Sequence, residues 1–218
     1  RGLGDVYKRQ HYHKTESLIY DYSGEETYNA KYFMGDFNIG SKLNLVSGVR
    51  VEDNETTYQS YHGMQTSLPH FNSMGSDTVS YYTRKNSFTL PSIFIKYDFT
   101  NRVSFRYANT KTLTRPDYAD IIPLYNIRGD GGSVIYRNPY LEPGVSRNND
   151  YVVSFYDDRA GLFTLSYFTK EIDDLIYSSG RRFITDPSLY GLPGFTEKYQ
   201  IVDYKTNNPY SVILKGIE

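Results

Sequence analysis

Apolar and polar residues alternate with a period of two along most of the chain. In YNAKYFMGDFNI (28–39), Phe33, Phe37 and Ile39 fall on one face, and Asp36 and Asn38 on the other. In KLNLVSGVRVEDNETTYQSY (42–61), Leu43, Leu45, Val49 and Val51 oppose Lys42, Asn44, Arg50 and Glu52. SFTLPSIFIKYDF (87–99) sets Ile93, Ile95, Tyr97 and Phe99 against Ser92, Lys96 and Asp98, and VSFRYANTKT (103–112) sets Val103, Phe105 and Tyr107 against Ser104 and Arg106. Tyr151, Val153 and Phe155 align in NDYVVSFY, as do Phe163, Leu165 and Tyr167 in GLFTLSYFTKEIDDLIY. KYQIVDYK (198–205) and YSVILKGIE (210–218) also read as extended. Two-residue alternation is the signature of a strand with one apolar face, so the pattern predicts about six to eight strands, several of them long.

The connections predict more than the strands do. Three are tight, at 40–42, 100–102 and 157–160, and three are long and polar, at 61–86, 113–147 and 178–198. Tight and long alternate in order. Compact soluble domains keep most connections short, whereas membrane-spanning barrels have short turns on one side and long loops on the other. The apolar alternation also fades on the long-loop side only, where NTKT follows VSFRY and EDNETTYQSY follows LNLVSGVRV. A strand that leaves hydrocarbon while its backbone pairing continues should fade in this way. A soluble β-sandwich alternates too but has no reason to fade on one side.

Composition narrows the classes. The chain holds 24 Tyr and 12 Phe but no Trp, which suits strands and surfaces that are apolar along the ring and wet at the hydroxyl. A net charge of -1, with no basic stripe, gives no footprint for nucleic acid. Without cysteine there is neither a disulfide framework nor a thiol nucleophile. No apolar run is long enough for a transmembrane helix, a test that β-barrel strands do not face. The first ten residues, RGLGDVYKRQ, resemble translated sequencing adapter and are left out of the fold expectation. Residues 11–218 are then expected to be an incomplete barrel domain, an internal fragment that stops in mid-strand at Glu218.

Several segments resemble the barrel domain of TonB-dependent receptors of the bacterial outer membrane. These are Gly48-Val49-Arg50-Val51-Glu52 at the end of a strand–turn–strand unit, and the run Thr110, Thr112, Arg115, Pro116 and Tyr118 after a hairpin. The set Asn138, Pro139, Leu141, Pro143 and Ser146 leads into the next strand. The resemblance covers 28–218 and implies an all-β antiparallel meander, one section of a large transmembrane barrel of about 22 strands, with short periplasmic turns and long extracellular loops. It further implies localisation in the outer membrane and energised uptake of a scarce nutrient (siderophore, vitamin, glycan or peptide). The implied partners are outer-membrane lipid, a plug domain, the TonB energy-transducing complex and a small or oligomeric nutrient. No enzyme activity and no cofactor are implied.

The candidate site residues are charges on the polar faces of predicted spanning strands: Arg50, Glu52, Lys96 and Arg106. Charge on such a face meets a wet lumen or the plug, whereas on the lipid face it is costly. Holding the plug or hydrating the wall would explain them equally well. Arg115-Pro116 reads as a strand end, since proline cannot donate to the ladder. His11, His13, His62 and His70 are scattered and do not predict a metal site. Arg128-Gly129-Asp130 reads as a mobile loop tip, and Asn54-Glu55-Thr56 matches a glycosylation sequon in pattern alone. Asp157-Asp158 and Asp173-Asp174 are sequence neighbours, so their side chains diverge on a strand and make poor acid–base pairs. Two other architectures compete. One is a complete small barrel of about eight strands. The other is a carbohydrate-binding β-sandwich, in which Phe33, Leu45, Ile95, Phe105 and Leu165 would pack in a dry core.

Overall fold

The computed structural model describes residues 21–61, 63–64, 79–127, 133–184, 186, 199–202 and 204–218. The four histidines, the Arg128–Asp130 tripeptide and residues 1–10 lie outside them. In chain order the elements are β1 (Tyr22–Ile39), β2 (Leu43–Tyr61), β3 (Gly63–Met64), β4 (Val79–Asp98), β5 (Val103–Thr114), a helical turn α1 (Tyr118–Ile121), β6 (Tyr125–Ile127) and β7 (Ser133–Tyr136). They continue as β8 (Gly144–Asp157), β9 (Gly161–Asp173), β10 (Ile176–Ser178), β11 (Arg182–Ile184), β12 (Tyr199–Val202), β13 (Lys205–Asn207) and β14 (Val212–Ile217).

Seven strands form one open antiparallel meander in the order β1-β2-β4-β5-β8-β9-β14. Its register is continuous, so side-chain parity is kept across the sheet. Phe37, Leu45, Ile95, Tyr107, Tyr151, Tyr167 and Ile217 stand in one row on one face, one residue from each strand. Within it the rings of Tyr107, Tyr151 and Tyr167 follow one another at centroid distances of 5.0 and 6.1 Å. Cross-strand aromatic neighbours of this kind stabilise a sheet. The opposite parity carries Asn44, Lys96, Arg106 and Ser166.

The apolar face is not a core. Phe33 is 75% exposed and Leu165 50%, while Leu45, Ile95 and Phe105 are half-exposed. The dry core that a sandwich requires is therefore missing from these five positions. A small closed barrel is not formed either, because the described sheet is open. Tight turns join β1 to β2, β4 to β5 and β8 to β9 at one end, and the long connections lie at the other. Gly40 takes a positive φ of 64° in the first turn, a conformation that costs other residues their Cβ clearance. Gly48 serves close approach, since a Cβ there would sit 2.8 Å from the Phe33 carbonyl oxygen on the neighbouring strand.

β4 starts at Val79, earlier than the sequence pattern predicts, because VSYYTRKNS pairs with the whole upper half of β2. Pro91 lies inside this strand. The Asp98 N–H donates to the Lys42 carbonyl on the β2 side, so alternation turns the Pro91 nitrogen toward β5. β5 pairs with β4 only from Ser92 toward the turn, so the missing N–H removes no ladder bond.

The long connections are not simple loops. They hold a ribbon of β10 with β13 and a five-stranded sheet in the order β11-β12-β7-β6-β3, with parallel pairing between β12 and β7 and between β3 and β6. Most apolar burial among the described residues lies in this cap. Tyr58, Ile121, Ile122, Leu124 and Leu141 form one cluster, against which Ile176 packs, and the register partners Val134 and Ile201 are fully buried. Within KYQIVDYK, predicted to be extended, the described Tyr199–Val202 and Lys205 lie in β12 and β13, which belong to the cap rather than to the wall.

Candidate functional site

The polar face of β2 changes character along its length. Toward the loop end Glu52, Asn54, Thr56, Tyr58 and Ser60 are all buried, because the connection after β5 folds over them. Glu52 is the hub. Arg50 and Arg115 each place a guanidinium nitrogen 2.5 Å from one of its oxygens. Arg115 also donates to the Tyr28 hydroxyl at 3.0 Å and lies 5.2 Å from the centre of that ring, a cation–π distance. Pro116 ends β5 as expected. Its neighbour Arg115 does more, pinning the loop back to β1 and β2.

A second anchor lies one turn further on. The Tyr118 hydroxyl donates to Glu26 at 2.6 Å, Asn54 donates to the same carboxylate, and the Tyr58 and Tyr118 rings are 6.2 Å apart. The Glu26 hydrogen bond raises the Tyr118 phenol pKa. Arg84 donates to the carbonyl of Leu141. Between the wall and α1 these groups leave a cleft of about 270 Å³, lined by Glu26, Tyr58, Arg84, Arg115 and Tyr118 among others.

The two long connections are tied together. Asp120, nearly buried, pairs with Lys205 at 2.5 Å and Arg137 at 3.5 Å. Asn138 donates to the Lys205 carbonyl at 3.1 Å. The Asn207 amide donates to the carbonyls of Glu142 and Asp174 at 2.9 and 2.8 Å and accepts from the Glu142 N–H at 2.8 Å. At the base of this layer, the Ser211 hydroxyl donates to the Asp173 carboxylate at 2.5 Å and Arg147 pairs with it at 2.8 Å.

A separate concavity of about 580 Å³ opens on the same polar face at the turn end. Lys96 and Arg106 face each other across β4 and β5 there. The four charges singled out from the sequence therefore share a face but not a site. Arg50 and Glu52 belong to the loop-end network, while Lys96 lies six residues from Arg50 in register, roughly 20 Å along the strand. Tyr28, Glu26, Asp120 and Lys205 escaped the sequence reading. Arg115 and Tyr118 entered it through the run Arg115-Pro116-x-Tyr118 after a fading strand, as motif residues and a strand end without their partners. Asp120 and Lys205, 85 residues apart, gave none.

Comparison with known proteins bears on this arrangement. The chain aligns with the hemophore receptor HasR of Serratia marcescens, solved with its hemophore HasA and heme, at 13% identity and a TM-score of 0.62, covering 89% of this chain and 31% of that one. It aligns with the ferric-catecholate import receptor Fiu of E. coli at 10% identity and a TM-score of 0.53, covering 90% and 25%. For the ferric enterobactin receptor PfeA of Pseudomonas aeruginosa the values are 14%, 0.50, 90% and 32%. At such identities the likeness speaks for the fold alone, and the chain spans about a quarter to a third of each receptor. No curated protein matches it. A family model described as TonB dependent receptor-like, beta-barrel matches residues 3–218. Matched over nearly its whole length, and folded as an open section of such a wall, the chain belongs to the TonB-dependent receptor β-barrel family of the outer membrane.

Proposed function

We propose that the chain forms part of the wall and loop cap of a receptor that imports a scarce nutrient across the outer membrane, with energy delivered through TonB to a plug domain in the lumen. The registered row from Phe37 to Ile217 carries this reading, because seven apolar side chains on one exposed face suit hydrocarbon outside and a wet channel behind. The cap over the polar face of β2 supplies the capture side. Its cleft, with Arg84, Arg115 and Glu26 beside Tyr58 and Tyr118, offers charge-assisted hydrogen bonds and aromatic surface to a polar ligand. Arg50 and Glu52 act there by holding Arg115, while Lys96 and Arg106 face the lumen nearer the periplasm. The receptors with similar folds are named for heme-bearing hemophore, ferric catecholate and ferric enterobactin. An iron-bearing or comparable scarce cargo is the class to test first. No step in this reading makes or breaks a covalent bond, so the chain acts as a transporter and not as an enzyme.

The test uses the full-length receptor in a Gram-negative host lacking its own copy. Uptake of ferric siderophores, heme, vitamin, glycan and peptide panels is measured with and without a functional TonB. The reading expects uptake of one class that disappears without TonB. Uptake that persists equally without TonB, or a full-length protein without a lumen domain, would overturn it.

A further inference from the structure

Strand register sets the floor of the cleft between the wall and α1. Glu26, Thr56 and Arg84 are direct register partners on β1, β2 and β4. An acid, a hydroxyl and a base therefore stand in one row, about 4.8 Å apart from strand to strand, and all three line the cleft. Asn54 and Asn86 form the next row toward the turns. The ionic groups of this lining are already engaged. Glu26 accepts from Tyr118 and Asn54, Arg84 donates to the Leu141 carbonyl, and Glu52 holds Arg115. Two guanidinium groups, of Arg84 and Arg115, balance two carboxylates, of Glu26 and Asp117. Thr56 is the group left over. Its side chain is 2% exposed, and its Oγ1 has no hydrogen-bond partner. Buried polar atoms are paired as a rule, because giving up water without a replacement bond is costly. Asp117, across the cleft, makes no side-chain hydrogen bond to cap α1. One buried hydroxyl and one carboxylate thus face a neutral cleft of about 270 Å³ with hydrogen bonds still to make.

We propose that this cleft binds a neutral, hydroxyl-rich ring, one sugar unit of a saccharide, with Thr56 as its buried hydrogen-bond partner. The proposal rests on the importer reading above and narrows its cargo. A hydroxyl both donates and accepts, so successive hydroxyls of one ring can meet an acceptor, a second hydroxyl and a donor in turn. That is the order of the row from Glu26 through Thr56 to Arg84. Asp117 accepts from a further hydroxyl on the opposite side. Phe88 and Tyr118 give aromatic surface for the C–H face of the ring, the usual division between apolar lining and a few placed polar groups. An anion would meet two carboxylates and a cation two guanidinium groups, and the balanced lining has no charge left to neutralise either.

The test is isothermal titration calorimetry on the full-length receptor in lipid nanodiscs. The probes are neutral mono- to tetrasaccharides of glucose, galactose, mannose and xylose, with glucuronic acid, glucosamine and a ferric catecholate as charged comparisons. The expected result is binding of a neutral saccharide whose affinity changes less than about twofold between low and high salt, since an uncharged ligand leaves nothing to screen. T56V should weaken that binding about three- to tenfold, as loss of one hydrogen bond predicts. Its unfolding midpoint should stay level or rise, because the variant also removes an unpaired buried hydroxyl. T56S keeps the hydroxyl and should stay within about twofold of the parent. D117A reads the same site from the opposite side should T56V fold poorly, with a similar loss of affinity. A saccharide bound as tightly by T56V and D117A as by the parent would overturn the proposal, because water would then satisfy Thr56. So would tighter binding of the charged sugars or the ferric catecholate at this site, lost in the same variants. Absence of saccharide binding in a receptor that imports another cargo through TonB sinks this proposal alone. Saccharide binding that T56V weakens, in a receptor whose uptake ignores TonB, keeps the site and sinks the importer reading instead.

Discussion

The wall and the cap use the same residue types in opposite ways. In the wall, Phe33, Phe37 and Leu165 are exposed and the backbone is regular. In the cap, Leu141, Val134 and Ile201 are fully buried and the described strands are only two to four residues long. The difference is one of solvent. Lipid replaces a core for the wall, so its apolar side chains need only alternate. Water surrounds the cap, which must bury its own side chains and satisfy its own backbone, as the Asn138 and Asn207 bonds do. Burial within this single chain is therefore no guide to which apolar residues matter most.

The contrast can be broken from either side. The largest effect is expected in the cap: L141A removes a fully buried side chain from the cluster with Tyr58 and Ile121, at a cost of about 2–5 kcal/mol. Hydrogen exchange should show it as faster opening of residues 118–143 with β8 and β9 unchanged. Next, I95R puts a charge at the middle of the apolar face and should cost about 2–4 kcal/mol. Urea unfolding of the receptor in lipid vesicles would measure this, and S92K on the opposite face should stay within about 0.5 kcal/mol of the parent. If I95R and S92K behave alike, the two faces do not differ as described.

Third comes the clasp between the two connections. D120A leaves Lys205 and Arg137 without their shared carboxylate, but both retain water, so about 1–3 kcal/mol is expected rather than the cost of a fully buried charge. The double variant D120A/K205A should cost less than the sum of the singles, and strict additivity would show that the pair does not join the loops. The smallest effect is K85A: its pair with Glu55 at 2.9 Å is exposed on both sides and should contribute about 0–1 kcal/mol, lost in high salt.

How much of this was legible in the sequence follows from the same contrast. Alternation in 28–61 and 87–112 revealed the wall strands and their faces, because lipid imposes one rule on every second residue. It also revealed Gly48-Val49-Arg50-Val51-Glu52 as a unit, which the structure explains through the close approach at Gly48 and the hub at Glu52. The cap was not legible. Its segments follow no shared period, and Asp120 meets Lys205 across 85 positions of sequence. Even the start of β4 was misplaced, because Tyr82, Arg84 and Asn86 look like loop until they are set beside Tyr58, Thr56 and Asn54 on β2. Among the candidate charges, face was legible, but level along the strand and partner were not. That is why Arg50 with Glu52 and Lys96 with Arg106 fall at opposite ends.

The most direct measurement is a spin-label scan of residues 162–168 on β9 in the full-length receptor embedded in lipid, with collision rates for oxygen and for a water-soluble nickel complex read at each position. Labels at 163, 165 and 167 should favour oxygen and those at 162, 164, 166 and 168 nickel, in strict alternation. Uniform accessibility along the stretch, or oxygen favouring the even positions, would contradict a wall whose odd side meets hydrocarbon.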